Sequence, residues 1–365
     1  MKKTFFITAC YCLLSFTFAI AQQFHFSGKI SSQDSLVILF GTERKIDTLI
    51  SPNGELRFSR ELEHPELLVI AACDVKSYST IGLCRFFAAP GTGSLQTTVE
   101  RLGTSEVQLS DPTSNIIYND FRSRFNPLVS IARKIIDTSY SKQLTTEGTG
   151  LCNKLYEYVN SIEDQVIEAF IRNNSNNFVG AYILGTYFKK EKDIQKTSIL
   201  YNAFPASIQA SAYLKGIPAI LENAEKNAVG SHAPFAKATS INGEAVSFGP
   251  ALHKYTVIDF WGSWCGPCIR GIGKMKTYYE KYKNDVVFVG IAYNDNKSAV
   301  QKVITENGIP WTQIINEDQQ TNWVKQFNIY AAPTKIVIGR DGTILRYFVG
   351  ESEEFYSYLD GLGLK

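Results

Sequence analysis

The chain has 365 residues, with 37 Lys and Arg against 35 Asp and Glu and a formal charge of +2. So even a balance gives no reason to expect nucleic acid or an anionic membrane surface as a partner. The length points to two or three folding units rather than one.

Met1-Lys2-Lys3, an apolar run from Phe5 to Ile20 and the closing Ala19-Ile20-Ala21 predict a secretory leader over residues 1–21 with an A-x-A cleavage site. An uncleaved anchor is the alternative, although the run is short for a membrane span. Ile7-Thr8-Ala9-Cys10 has the form of a lipoprotein box, but few apolar residues precede Cys10. Cleavage removes Lys2 and Lys3 and no acid, leaving 35 residues of each sign. The cysteines that remain are Cys73, Cys84, Cys152, Cys265 and Cys268, too few for a disulfide-stapled scaffold, so hydrophobic cores must hold the units.

From residue 22 to 110 short strands alternate with turns. The strand candidates are 24–30, 36–40, 45–50, 67–70, 84–87, 95–99 and 107–109, with Ser51-Pro52-Asn53-Gly54 as a tight turn. Seven or eight evenly spaced strands predict a β-sandwich. Phe24-His25-Phe26-Ser27-Gly28-Lys29-Ile30, the later Ile46-Asp47-Thr48 and Phe86-Phe87-Ala88-Ala89-Pro90-Gly91 resemble the DUF4369 type of domain. That type stands ahead of thioredoxin domains in exported Bacteroidetes proteins. Cys73 and Cys84 fall on neighbouring predicted strands, where either a disulfide or two buried thiols is open.

At Asp111-Pro112 the period changes to helical, and residues 111–229 predict a helical spacer. One helix begins at Ile116 and stops near Pro127, and a long amphipathic helix runs from Leu151 to Ile171. Shorter helices follow at 179–188, 194–204 and 208–221. No catalytic constellation stands out in this stretch.

Residues 230–365 carry the chemistry. Tyr255 to Trp261 is a short run rich in β-branched and aromatic residues, which predicts a buried strand. Gly262-Ser263 ends it, and Trp264-Cys265-Gly266-Pro267-Cys268 opens a helix running to about Lys283. A Cys at the first turn of a helix meets unpaired N–H groups and the positive end of the dipole, so its thiolate is favoured. Pro267 suits the first turn because its missing N–H has no partner there. Cys268 lies on the same face and can close a ring with Cys265. A lone C-x-x-C is also half of a zinc site, but no second pair exists, and neither His232 nor His253 has ligand spacing. No metal is expected.

This motif after a strand bearing Asp259 resembles thioredoxin. Gly230, Ala233, Pro234 and Phe235 resemble the opening of the TlpA and ResA type of exported thioredoxin-like proteins. Apolar runs and turn signals add strands at 235–239, 245–248, 286–292, 312–315, 334–338 and 343–349 and helices at 298–306, 321–327 and 352–362. The resemblance implies a multidomain chain ending in an α/β thioredoxin fold. It implies that Cys265 is the exposed nucleophile and Cys268 the more buried resolving thiol. Asp259 becomes a buried proton acceptor, and Pro333 a cis-proline whose neighbour Ala332 pairs with a substrate strand. Trp264, Gly266 and Pro267 complete the substrate-binding surface. No cofactor is implied beyond the redox-active Cys265–Cys268 disulfide. Implied partners are protein thiols or disulfides and a membrane-embedded thiol donor, in the periplasm or cell envelope. One departure stands out. ResA-type proteins usually carry Glu three residues after the second Cys and often Pro two further on, where this chain has Gly271 and Gly273. Asp259 is then the only nearby proton-handling candidate.

Two other functions compete with thiol–disulfide exchange. A thiol peroxidase of the AhpC/TSA group resembles P-x-x-x-[ST]-x-x-C, but Ile258 and Gly262 occupy the two diagnostic positions before Cys265. A non-enzymatic envelope binding protein is the other, and the intact cysteine pair argues against it.

Overall fold

A computed structural model describes residues 22–32, 36–42, 45–51, 53–77, 79–139, 144–188, 192–234, 236–248 and 254–364. The predicted leader at 1–21, Pro52, Phe235 and His253 lie outside the described residues. The chain falls into two compact units, Met1–Ile183 and Leu184–Lys365.

Among the described residues of the first unit, eight strands form two four-stranded sheets. β1 (Gln22–Ser31), β4 (Glu55–Leu62), β7 (Gly91–Thr98) and β8 (Gln108–Leu109) make one, in the order β4-β1-β7-β8. β2 (Leu36–Thr42), β3 (Lys45–Ser51), β5 (Glu66–Asp74) and β6 (Thr80–Ala88) make the other, in the order β3-β2-β5-β6. Alternation turns Phe24, Phe26 and Ile30 of β1 inward, into one core with Ile38, Ile70 and Phe86 of the facing sheet. This is the predicted sandwich. β4 was not among the predicted strands, because Arg57, Ser59, Arg60 and Glu61 mask the inward Leu56 and Leu62. Its pairing with β1 from Gln22↔Leu62 to Lys29↔Glu55 decides the matter.

Two long helices follow, α1 (Thr113–Ser139) and α2 (Thr146–Asn173). The expected stop near Pro127 is a correction, for α1 continues twelve residues past it. A proline removes one helical hydrogen bond, but Ala132 and Ile135 beyond it bury against Val159 of α2, with Leu128 and Tyr156 alongside. Tertiary packing offsets the local loss. Thr145 caps α2, its hydroxyl accepting from the Gly148 N–H at 3.1 Å.

α3 (Phe178–Thr186) spans the division between the units, and α4 (Ile194–Asn202) opens the second. The predicted helix over 208–221 is instead two, α5 (Ala206–Gln209) and α6 (Ile217–Lys226). Pro218 sits in the first turn of α6, where it starts a helix rather than continuing one. Side-chain amides tie α6 and its end to the rest of this unit: Asn223 donates to the Lys325 carbonyl, Asn227 to that of Gln326, and Asn328 to that of Ile220.

A hairpin of β9 (Ala236–Thr239) and β10 (Ala245–Phe248) precedes the main sheet. That sheet has the order β13-β12-β11-β14-β15, formed by Thr312–Ile315, Val286–Ala292, Tyr255–Trp261, Thr334–Ile338 and Ile344–Val349. β11 to β13 run parallel, and β14 and β15 return antiparallel. α7 (Gly266–Tyr282) and α10 (Glu353–Asp360) cover one face, burying Ile272, Met275, Phe355 and Leu359 over Val257 and Val337. α8 (Lys297–Asn307) connects β12 to β13 and adds Val303 to that face, while α9 (Trp323–Gln326) places Trp323 on the other, where Ile258, Phe260, Ile291 and Ile336 gather. This is the thioredoxin-like architecture expected from residue 230 onward.

The two glycines of α7 differ in their surroundings. A Cβ at Gly273 would meet nothing within 4 Å, whereas one at Gly271 would lie 2.5 Å from Glu351 Cδ. Gly273→Ala is expected to raise stability by about 1 kcal/mol, the helix-propensity difference. Gly271→Ala is expected to gain nothing or lose, because the carboxylate must move. Chemical denaturation of both variants checks this, and an equal gain at Gly271 would show that Glu351 is not seated there.

Candidate active site

β11 is the central strand of the sheet, hydrogen-bonded on both edges, and its C-terminal end delivers the C-x-x-C pair to the start of α7. Cys265 is the N-cap of α7, its Sγ accepting from the Cys268 N–H at 3.2 Å. A sulfur there takes one of the helix's otherwise unpaired donors and sits at the positive end of its dipole. Cys265 and Cys268 are joined as a disulfide. Pro267 lies in the first turn, as predicted.

The exposures of the two cysteines reverse the expectation. Cys265 is 3% exposed and Cys268 7%. In the oxidised state the Cys265 sulfur is turned onto its partner, and both residues join a cluster with Trp261, Ile241 and Ala292, against which Ala332 also packs. Exposure at the site belongs instead to Gly266, Pro267 and Trp264, the last 53% exposed. Trp264 is nonetheless held, its Nε1 donating to the Tyr293 carbonyl at 3.1 Å and its ring meeting that of Tyr293 edge-on. Trp261 is buried and donates from Nε1 to Gln313 Oε1 at 2.8 Å, so it is a packing residue. The Ala332–Pro333 bond is cis, as the resemblance implies, and Pro333 accepts from the Gly350 N–H through its carbonyl.

Asp259 faces α7. Strand alternation puts it on the side of Val257 and Trp261, which pack respectively with Ile272 and Met275 of α7 and with Cys268. Its partner across the sheet is Lys335 of β14, whose Nζ lies 3.6 Å from Asp259 Oδ1. The Lys335 side chain is 3% exposed and also donates to Glu351 Oε2 at 2.8 Å. Tyr356 of α10 donates to Glu351 Oε1 at 2.6 Å. Burial pushes the Asp259 carboxyl above its ordinary range; Lys335 pulls against that shift and Glu351 adds to it. Burial alone draws the Lys335 ammonium down, but the two carboxylates outweigh it and the net shift is upward. Asp259 is therefore not the only carboxylate near the pair, which corrects the expectation. Glu351 arrives from the turn after β15 to occupy the space left by Gly271.

Sequence reading also missed Asp295. It accepts from the Ser263 N–H at 2.6 Å and the Ser263 hydroxyl at 2.9 Å, fixing the turn between β11 and α7. A signal was available, since Asp295 follows the end of the parallel strand beside β11, where loops of such sheets converge. Lys335 and Glu351 carried none. A single Lys in Thr334-Lys335-Ile336-Val337-Ile338 reads as an outward side chain, yet β14 is buried throughout.

Cys73 and Cys84 are free, buried thiols. In the β5–β6 register Cys84 opposes Ile70 and Cys73 opposes Thr80, so the two do not face each other. Burial pushes the Cys84 thiol up to about 11. In the reduced native protein, alkylation at mildly acidic pH is expected to modify Cys265 first and to leave Cys73 and Cys84 unmodified until denaturation. Peptide mapping checks the order, and preferential labelling of Cys268 or Cys152 overturns it.

The Redoxin family profile matches residues 228–362. ResA, a thiol-disulfide oxidoreductase of Bacillus thuringiensis (strain Al Hakam), is 26% identical over 138 residues, covering 37% of this chain and 79% of ResA. The Bacillus subtilis ResA is 24% identical over 137 residues. Among solved structures, the thioredoxin domain of a thiol-disulfide oxidoreductase from Bacteroides vulgatus aligns at 22% identity and a TM-score of 0.34, covering 37% of this chain and 96% of that one. Residues 228–362 thus form a Redoxin domain, related to thiol-disulfide oxidoreductases of the ResA type.

Proposed function

We propose that the protein is an exported thiol–disulfide oxidoreductase that reduces disulfides in other proteins through Cys265 and Cys268. The observation that carries this is Cys265 at the N-cap of α7, its sulfur receiving the Cys268 N–H and already bonded to the Cys268 sulfur. In the reduced state that position favours the thiolate, which is the attacking species. The Cys265 thiolate attacks a substrate disulfide, forming a Cys265–substrate disulfide and releasing one substrate thiolate. Cys268 then loses its proton to a nearby base and attacks Cys265 Sγ, closing the Cys265–Cys268 disulfide. The second substrate thiolate leaves and takes up a proton. The substrate gains two electrons and the enzyme dithiol loses them.

Asp259 is the base in this reading, because it shares the α7 side of β11 with Trp261, which packs with Cys268, and its proton affinity is raised. The exposed rim of Trp264, Gly266 and Pro267, together with Ala332 and Pro333, receives the substrate backbone. No cofactor besides the dithiol takes part. A membrane-embedded dithiol donor restores the reduced pair. Export to the envelope rests on the leader pattern at residues 1–21. Among the described residues no helix is long and apolar enough to cross a membrane. The sandwich at 22–110 is assigned to the DUF4369 type on its sequence features.

Insulin reduction by dithiothreitol tests the activity. Cys265→Ser is expected to fall to the uncatalysed rate, and Cys268→Ser to accumulate stable mixed disulfides. A wild-type rate no faster than dithiothreitol alone overturns the reading. The dipeptide Gly266-Pro267 is that of thioredoxin, so equilibration against glutathione is expected to give a reducing couple nearer about −270 mV than about −120 mV. A potential above about −180 mV would exclude the reductase direction.

A further inference from the structure

The triad of Asp259, Lys335 and Glu351 holds two carboxylates and one ammonium in a space with little water. The three side chains are 14%, 3% and 22% exposed. The ammonium is shared unequally. Lys335 Nζ is 2.8 Å from Glu351 Oε2, a charge-assisted hydrogen bond, but 3.6 Å from Asp259 Oδ1, beyond hydrogen-bond length. Asp259 Oδ1 is buried and has no hydrogen-bond partner among the described residues. Glu351 is fixed on its other oxygen by the Tyr356 hydroxyl and lies where a Cβ of Gly271 would be, one helical turn beyond Cys268.

We propose that Glu351 and Lys335 are positioning residues of the redox pair: Glu351, seated against Gly271, draws the Lys335 ammonium away from Asp259 and so leaves Asp259 free to hold a proton beside Cys268. The inference rests on the thiol–disulfide reading above. With three ionised groups the triad carries one net negative charge in a poorly solvated place, and a proton on Asp259 removes it. An Asp with sole possession of the ammonium would instead stay ionised and be a poor proton acceptor. Asp259 also faces the uncharged Gly290 of β12 across the sheet. Among the described residues, Tyr356, Glu353 and Lys274 are further titratable groups of this region: Glu353 and Lys274 pair with each other, and Lys274 lies over the Tyr356 ring. None of these offers Asp259 a second cation as close as Lys335.

The proposal sets opposite signs for two substitutions. Glu351→Gln keeps the shape but removes the competing charge, so Lys335 turns to Asp259 and the Asp259 midpoint falls. Lys335→Gln removes the cation that stands nearest Asp259 among the described residues, so the midpoint rises. Gly271→Ala displaces the Glu351 carboxylate and moves the midpoint in the direction of Glu351→Gln. The direct measurement is the pH titration of the carboxyl-labelled Asp carbon resonance in the full-length oxidised protein, assigned by its loss in Asp259→Asn. Shifts of at least one pH unit are expected, down for Glu351→Gln and up for Lys335→Gln. The same shifts are expected in the pH profile of the second thionitrobenzoate release when the reduced protein reacts with 5,5′-dithiobis(2-nitrobenzoic acid). Either glutamine variant suffices if the other does not fold. Midpoints that stay put, or that move in one common direction, overturn the proposal. The titration in the oxidised protein needs no turnover. Opposite shifts without insulin reduction therefore sink only the function, and unmoved midpoints with intact reduction sink only the positioning role.

Discussion

A carboxylate in the middle of a central strand is the constraint from which much of the C-terminal unit follows. β11 is hydrogen-bonded to β12 and β14 and covered by side chains on both faces, so Asp259 has little water to hold its charge. The nearest compensation must come from a paired strand, and Lys335 stands directly across in β14. A buried ammonium is itself costly unless its donors are used, which brings in Glu351 from the turn after β15. Glu351 in turn needs room beside α7, and Gly271 leaves it. The absence of a side chain at one helix position is thus the far end of a chain of compensations that starts at Asp259.

The second organising feature is the strand-to-helix junction. Asp295 holds Ser263 at one side of the turn, and Trp264 is tied to the Tyr293 carbonyl at the other. With the turn fixed from β12's end, the N-terminus of α7 brings its N–H groups to Cys265, whose Sγ accepts from the Cys268 N–H. The oxidised pair is covered, while the rim formed by Trp264, Gly266 and Pro267 is open.

The N-terminal unit is built by different rules. Its core is the space between two sheets, filled by phenylalanines whose rings stack across strands, Phe26 on Phe58 at 5.0 Å and Phe40 on Phe58 at 4.5 Å. The register of β1 with both β4 and β7 is set by that alternating face, since a slip of one residue would turn Phe24 and Phe26 to solvent.

Local chemistry was enough to determine several features from the sequence: the strand at 255–261, the helix opened by Cys265, the dithiol itself and the order of elements after residue 230. Each depends on neighbours within a few positions, where hydrophobic period, capping and turn residues act. The sandwich was legible for the same reason, apart from β4, where charged outward residues hide a half-buried strand. Only the tertiary structure decided the features that depend on distant partners. α1 runs through Pro127 because α2 packs beyond it. Cys265 is covered because its disulfide partner and the Ala332 loop close over it. Lys335 lies buried between Asp259 and Glu351, residues 76 positions before it and 16 after it. Electrostatics in a poorly solvated interior acts through space, and nothing in the spacing of those three residues along the chain announces that they meet.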